Sequence, residues 1–574
     1  MNETSQMSLN VDRRRFMAYF SGVGLGSTLL PGVLWSQLAA GSELTRETIA
    51  CAEEISGLTF TDEQRDLMLA DLRDQRRQMD GVRAVPLPNS VPPALAFNPS
   101  VAGMRLPEGP VRGIIDFTRH SLPRPVSDEE IAFLPVSALA GLIRSRQISS
   151  VELTRLYLDR IARLDRHLHA VVTVTEERAM RQARAADEEI ASGRYRGPLH
   201  GIPWGAKDLL AVRGYPTTWG TPPYRDQVID EDAVVVQRLD AAGAVLIAKL
   251  TLGELAWGDV WFGGMTRNPW RLDQGSSGSS AGPGAATAAG LVAFSIGSET
   301  LGSISSPATR NGVTGLRPTF GRVPKSGAMA LAWSMDKLGP MCRTAEDCAL
   351  VLDAIHGADG TDLSARSVPF AWSSERRPED MRIGYFKAAF ERAEQENPNR
   401  AYDEATLEVL RASGATLIPV EMPPFDYGAL GLILSAEAAA AFDELTRSGR
   451  DQQMVRQERQ AWPNAFRAAR FIPAVEYINA NRIRTLVMRA WDELFTELDV
   501  IVTPTFAPGQ LMATNLTGHP AVIAPNGFRP DGTPVSITFL GRLFNDSDAI
   551  ALMHHYQRAT DFHLRRPALP ASEE

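Results

Sequence analysis

The chain has 574 residues, 44% hydrophobic and 22% charged, with a formal net charge of -9. That is ample material for a buried core, and the acidic balance excludes the dominant basic surface by which a protein holds nucleic acid. The three cysteines (Cys51, Cys342 and Cys348) are an odd number, which argues against a disulfide framework and leaves only a Cys342–Cys348 pairing open. The nine histidines form no HExxH or CxxC…H spacing, so the sequence implies neither a metal site nor a cofactor.

In chain order, Asp12-Arg13-Arg14-Arg15 precedes an uncharged stretch, residues 16–42, broken by Gly22, Gly24, Gly26 and Pro31. A twin-arginine pair ahead of a mildly apolar, Gly-containing segment is similar to a bacterial Tat export signal. Residues 1–40 are expected to be that signal and the product to be periplasmic. Cleavage near residues 38–40 and retention as an uncleaved membrane anchor both remain open. Residues 41–125 read as an N-terminal extension, with one charge-dense helix at 61–79 and a Pro-rich segment at 85–99. Residues 126–574 read as one large domain. Within it, Ser149 and Glu152 form a capping box, and Leu153, Leu156, Tyr157 and Ile161 follow at helical spacing. A helix at 233–242, a stop at Gly243 and an apolar strand at 244–248 give the helix–turn–strand order of α/β layering. Residues 374–471 read as helix-rich. Buried strands are expected at 499–504, 521–525 and 535–540.

The chemistry concentrates in residues 275–304, GSSGSSAGPGAATAAGLVAFSIGSETLGSI, two Gly/Ser loops around an uncharged stretch. A linker needs no apolar middle, and a phosphate cradle would need a closing Lys-Ser/Thr. Gly278-Ser279-Ser280-Ala281-Gly282 matches a GxSxG nucleophile elbow, but an elbow needs a strand before it, and residues 268–274 read as polar and turn-like. His519 is the least arbitrary partner for such an elbow. Upstream, Lys207 sits in the mostly apolar Gly201-Ile202-Pro203-Trp204-Gly205-Ala206-Lys207-Asp208, where burial would disfavour its ammonium and make it a base near neutrality.

Many ordered motifs are similar to the amidase signature family of serine hydrolases. They are Gly197-Pro198-Leu199-His200-Gly201-Ile202-Pro203 leading to Lys207-Asp208, then Asn268-Pro269, the Ser279-Ser280 loop and Gly297-Ser298-Glu299-Thr300-Leu301-Gly302-Ser303-Ile304. Gly312 to Thr319, Gly321-Arg322-Val323-Pro324 and Ser334-Met335-Asp336 before Gly339-Pro340 follow in order. The resemblance covers roughly three quarters of the chain. It implies an α/β fold whose mixed central sheet is covered by helices on both faces. It also implies a Ser–cis-Ser–Lys triad, with Lys207 as base, Ser279 as bridging serine across a cis Gly278–Ser279 peptide, and Ser303 as nucleophile. The family's GGSSGGS pattern could also be laid on Ser276. The separation of Ser279 from Ser303 and the downstream Ala288-Ala289-Gly290 favour Ser279. Backbone N–H groups of Thr300, Leu301, Gly302 and Ser303 would form the oxyanion hole, while Glu299 and Asp208 would support the loop and Lys207. Three features depart from the family pattern: Leu301 and Ser305 around the nucleophile, Ala281-Gly282-Pro283 after the first loop, and a short loop at 506–513.

The function implied is an exported amidase, a serine hydrolase acting on non-peptide C–N bonds of a small-molecule amide. An ester would form the same acyl-enzyme. It needs no nucleic acid and no obligate membrane partner, and a homodimer is compatible with it. The alternatives are the glutaminase subunit of a tRNA-dependent amidotransferase and a non-catalytic binding protein on the same scaffold.

Overall fold

The computed structural model describes residues 44–56, 59–84, 111–117 and 122–569. The expected export signal, residues 1–40, and the Pro-rich segment 85–99 lie outside the described residues. No helix among the described residues is long and apolar enough to cross a membrane.

Capping chemistry starts the first long helix where the sequence places it. Ser149 Oγ accepts from the Glu152 N–H at 3.0 Å, and the Glu152 carboxylate accepts from the Ser149 N–H at 2.8 Å. The helix, Ser150–Leu168, buries Leu153, Leu156, Tyr157 and Ile161 along one face.

Eleven strands form one mixed sheet. In chain order they are β1 (Val171–Val174), β2 (Pro203–Lys207), β3 (Val245–Leu250), β4 (Phe294–Glu299), β5 (Thr314–Arg317) and β6 (Lys337–Cys342), followed by β7 (Ile383–Phe386), β8 (Leu417–Val420), β9 (Val500–Pro504), β10 (Ala521–Phe528) and β11 (Pro534–Gly541). Across the sheet the order is β8-β7-β9-β11-β10-β5-β6-β4-β2-β3-β1. β7 runs parallel to β8 and β9, and β2 runs parallel to β3 and β4. The other neighbours are antiparallel. Every residue of β2, β3 and β4 is buried, which is why these strands read as continuous apolar or small-residue runs. Helices flank the sheet, among them Ala281–Ala288, Ala345–Ile355 and Asp546–Ala559. The expected fold class stands.

Helix Val234–Ala241 turns into β3 through Gly243, where φ is +81° and a Cβ would sit 2.3 Å from the His200 ring. Only glycine meets both demands. Residues 374–471, expected to be helix-rich, also supply β7 and β8. These are four-residue strands at one edge of the sheet, too short for alternation to show in the sequence.

The chain divides into two compact units. The sheet lies wholly in the larger. The smaller groups the N-terminal helices Arg46–Ser56 and Asp62–Arg83 with residues 426–452 and 456–485. The expected helix at 61–79 is therefore present, extended by one turn. Its Met68 and Leu72 are buried, and Asp71 and Asp74 pair with Arg459 at 3.0 and 2.8 Å. Nothing local in the sequence marks this grouping, because the partners are separated by several hundred residues.

Candidate active site

Lys207 ends β2 with its side chain fully buried. Its Nζ lies 2.8 Å from Ser279 Oγ, 3.0 Å from Ser280 Oγ and 2.8 Å from Ser298 Oγ. Burial drives its pKa well below the ordinary lysine value, and the more distant Asp336 and Glu299 oppose that only in part. A neutral amine has two N–H groups and one lone pair. Among three hydroxyl partners, one can therefore donate its proton to Lys207. Ser280 Oγ is already committed, donating to the Ser298 carbonyl at 3.1 Å and accepting the Ser298 N–H at 3.1 Å. Ser279 carries no such bonds. The Gly278–Ser279 peptide is cis. Gly278 is required there, because a Cβ would lie 1.8 Å from the Gly258 carbonyl.

The second loop is shaped by Glu299, the last residue of β4. One carboxylate oxygen accepts the N–H of Ile304 at 2.9 Å, the N–H of Ser305 at 2.8 Å and the Ser305 hydroxyl at 2.9 Å. The other accepts from Arg317 at 2.8 Å and from Asn515 at 2.9 Å. Burial would raise its pKa, but Arg317 and these donors hold it down at about 2. Glu299 thus folds residues 300–304 into a tight turn before helix Ser305–Asn311, with Gly302 at φ +85°. Among the described residues, no acceptor takes the N–H of Leu301, Gly302 or Ser303. The two loops meet where the Ser280 N–H donates to the Ser303 carbonyl at 3.1 Å. Lys207 and Ser279 are thus joined directly, whereas no hydrogen bond joins the Ser279 and Ser303 hydroxyls.

Several expectations change. Asp208 does not support Lys207; it is paired at 2.6 Å with Lys249, fully buried, and bonded to Thr218. Residues 268–274 are not turn-like throughout, since Arg271–Gly275 is a strand paired with Arg267–Asn268. That ribbon stands outside the central sheet and ends before Gly278, so it makes no elbow. His519 is no catalytic base for Ser280. Burial, aided by Arg317, pushes it down to about 3, its Nδ1 meets Thr517 Oγ1 at 2.7 Å, and its ring stacks on Phe495. Ser276 Oγ bonds the Ser277 carbonyl at 3.1 Å and Ser277 Oγ bonds Ser306 Oγ at 2.7 Å; neither meets Lys207. All three cysteines are free.

Sequence reasoning missed the roles of Ser280 and Ser298 around Lys207, and of Asp336. The Asp336 carboxylate accepts from Thr300 Oγ1 at 2.6 Å and from the N–H groups of Leu331 and Ala332 at 2.8 and 3.0 Å. Ser298, Thr300 and Asp336 line a cavity of about 270 Å³.

Comparison with known proteins agrees with this arrangement. The Amidase family model matches residues 152–549. The chain belongs to the amidase signature family. Its enzymes act on C–N bonds, and that coarse activity extends to this member. Among curated amidase relatives, a component of the glutamyl-tRNA(Gln) amidotransferase of Chloroflexus aggregans is 35% identical over 77% of this chain and 99% of its own length. Among solved amidase structures, the native peptide amidase from Stenotrophomonas maltophilia is 29% identical, with a TM-score of 0.66 over 76% of this chain and 99% of that one. A bacterial aryl acylamidase of the family, 24% identical with a TM-score of 0.67 over 76% of this chain and 99% of its own, shares the fold.

Proposed function

We propose that this protein hydrolyses a carboxylic amide through an acyl-enzyme on Ser303, with Lys207 as base and Ser279 as the bridging serine. The observation that carries the reading is the buried Lys207 amine at 2.8 Å from Ser279 Oγ, on a loop tied to Ser303 through the Ser280 N–H. Neutral Lys207 takes the Ser279 proton while Ser279 takes that of Ser303. Ser303 Oγ adds to the amide carbonyl. The N–H groups of Thr300, Leu301, Gly302 and Ser303 stabilise the oxyanion that develops. The proton held by Lys207 then passes back through Ser279 to the leaving nitrogen, the C–N bond breaks, and water attacks the acyl-enzyme by the same route. A fluorophosphonate probe tests this. It should label Ser303, with labelling abolished in Ser303→Ala and strongly reduced in Lys207→Ala. Labelling at Ser280 instead would overturn the assignment.

A second reading is favoured by the curated relatives: a glutaminase subunit that releases ammonia from glutamine for a tRNA-dependent amidotransferase. The same Ser303 acyl-enzyme would serve it. Export through residues 1–40 supports the first reading, since an exported chain is separated from tRNA. Glutamine and simple acyl amides offered in parallel distinguish the two.

A further inference from the structure

The cavity that begins at Ser298 and Thr300 has walls of one character. Leu209, Ala256, Met329, Leu331, Trp333 and Leu338 supply them, and Trp333 is 53% exposed at its lip. The charged groups that also line it are already matched within the protein. Asp336 accepts three hydrogen bonds. Lys325 pairs with Asp362 at 3.3 Å and donates to Ser364 Oγ at 2.6 Å. Asp362 accepts the Lys325 N–H at 2.9 Å and both the N–H and the hydroxyl of Ser364, at 2.9 and 2.6 Å. An amino-acid amide entering here would bring an ammonium and a carboxylate into a site whose charges are spent on one another, and unmatched buried charge is costly. An alkyl or aryl group would instead exchange water for carbon contacts along its whole length.

We propose that this cavity receives the acyl portion of the substrate, and that the acyl group is a medium alkyl or aryl chain, not that of glutamine. The proposal rests on the Ser303 acyl-enzyme reading, because the cavity borders both Lys207's partner Ser298 and the oxyanion turn at Thr300. Trp333 is then a specificity residue that covers the outer part of the chain.

The test uses the full chain and p-nitroanilides of one leaving group with acetyl, butanoyl, hexanoyl and phenylacetyl acyl groups, beside L-glutamine. Burying each methylene should raise kcat/KM about fourfold, so hexanoyl should exceed acetyl by roughly two orders of magnitude and glutamine should be the poorest. Trp333→Ala should cut the hexanoyl-to-acetyl ratio by about tenfold. A flat series, or preference for glutamine, with fluorophosphonate still labelling Ser303 would overturn the substrate class alone. Absence of Ser303 labelling would overturn both the class and the acyl-enzyme beneath it.

Discussion

Asp336 is bound to Thr300 by a 2.6 Å hydrogen bond from the threonine hydroxyl, and sheet register puts them there. β6 runs antiparallel to β4 with Lys337 opposite Glu299, so the residue before Lys337 meets the residue after Glu299. The carboxylate also holds the N–H groups of Leu331 and Ala332 in the cavity wall. Asp336 is therefore the tie between the oxyanion turn and the surface that meets substrate. Losing a hydrogen bond to a charged group costs about 1.5–3 kcal/mol. Asp336→Asn should accordingly lower kcat by about 10–100-fold, and Thr300→Val should produce a loss of the same kind. Because the two side chains act as one unit, the double variant should be little worse than the poorer single one. Simple additivity in that cycle would show that they act separately.

The two serine registers separate in the same assay. Ser279 meets Lys207, whereas Ser276 spends its hydroxyl on the neighbouring Ser277 carbonyl. Removing a proton-transfer partner costs about 10²–10⁴-fold. Ser279→Ala should fall in that range and Ser276→Ala within about threefold of the parent. Equal losses would move the bridging role off Ser279.

Motif spacing made Lys207, Ser279 and Ser303 legible, because each lies in a run of glycines and small residues that fixes backbone shape locally. Fold class was legible for a related reason: the capping box at Ser149 and the apolar run of β3 are local signals. Asp336 was not legible as a functional group, since its partner Thr300 is its neighbour only through β-sheet register. The same holds for Asp208. Its sequence neighbour is Lys207, but successive strand side chains point to opposite faces, and the lysine it meets is Lys249. The short edge strands β7 and β8 escaped because four residues are too few to show a period of two.

Lys207 gives the pH profile its sign. The active base is the neutral amine, and burial lowers its pKa. kcat/KM and the rate of Ser303 labelling should both rise with pH through one ionisation and level off below the ordinary lysine range. A limb centred at the ordinary lysine value would mean that the amine is solvated and the relay is built differently.

Glu299 predicts an acid limb in stability. Its folded pKa of about 2 lies below the ordinary 4.5, so the folded state binds this proton less readily than the unfolded chain does. The contribution is therefore complete above about pH 4.5 and is lost as pH falls toward 2. A shift of that size corresponds to about 3 kcal/mol. Buried Asp347 and Asp403, raised to about 6, pull the opposite way at higher pH, so the parent protein alone does not isolate the effect. The difference in unfolding free energy between the parent and Glu299→Gln should be constant near neutrality and shrink between pH 4.5 and 3. A difference that stays constant over that range would assign the stabilisation to packing and not to charge.

Export is tested by a substitution that keeps charge. Arg13 and Arg14 precede an uncharged stretch, and general attraction to an anionic membrane would be satisfied by any pair of cations. A receptor that reads the guanidinium pair would not be. A reporter fused behind residues 1–45 should therefore reach the periplasm with the natural pair and remain cytoplasmic when both become lysine. Because Arg→Lys leaves the net charge unchanged, loss of export cannot be electrostatic. Continued export of the lysine form would exclude the twin-arginine route and remove the argument that separates this chain from a tRNA-dependent partner.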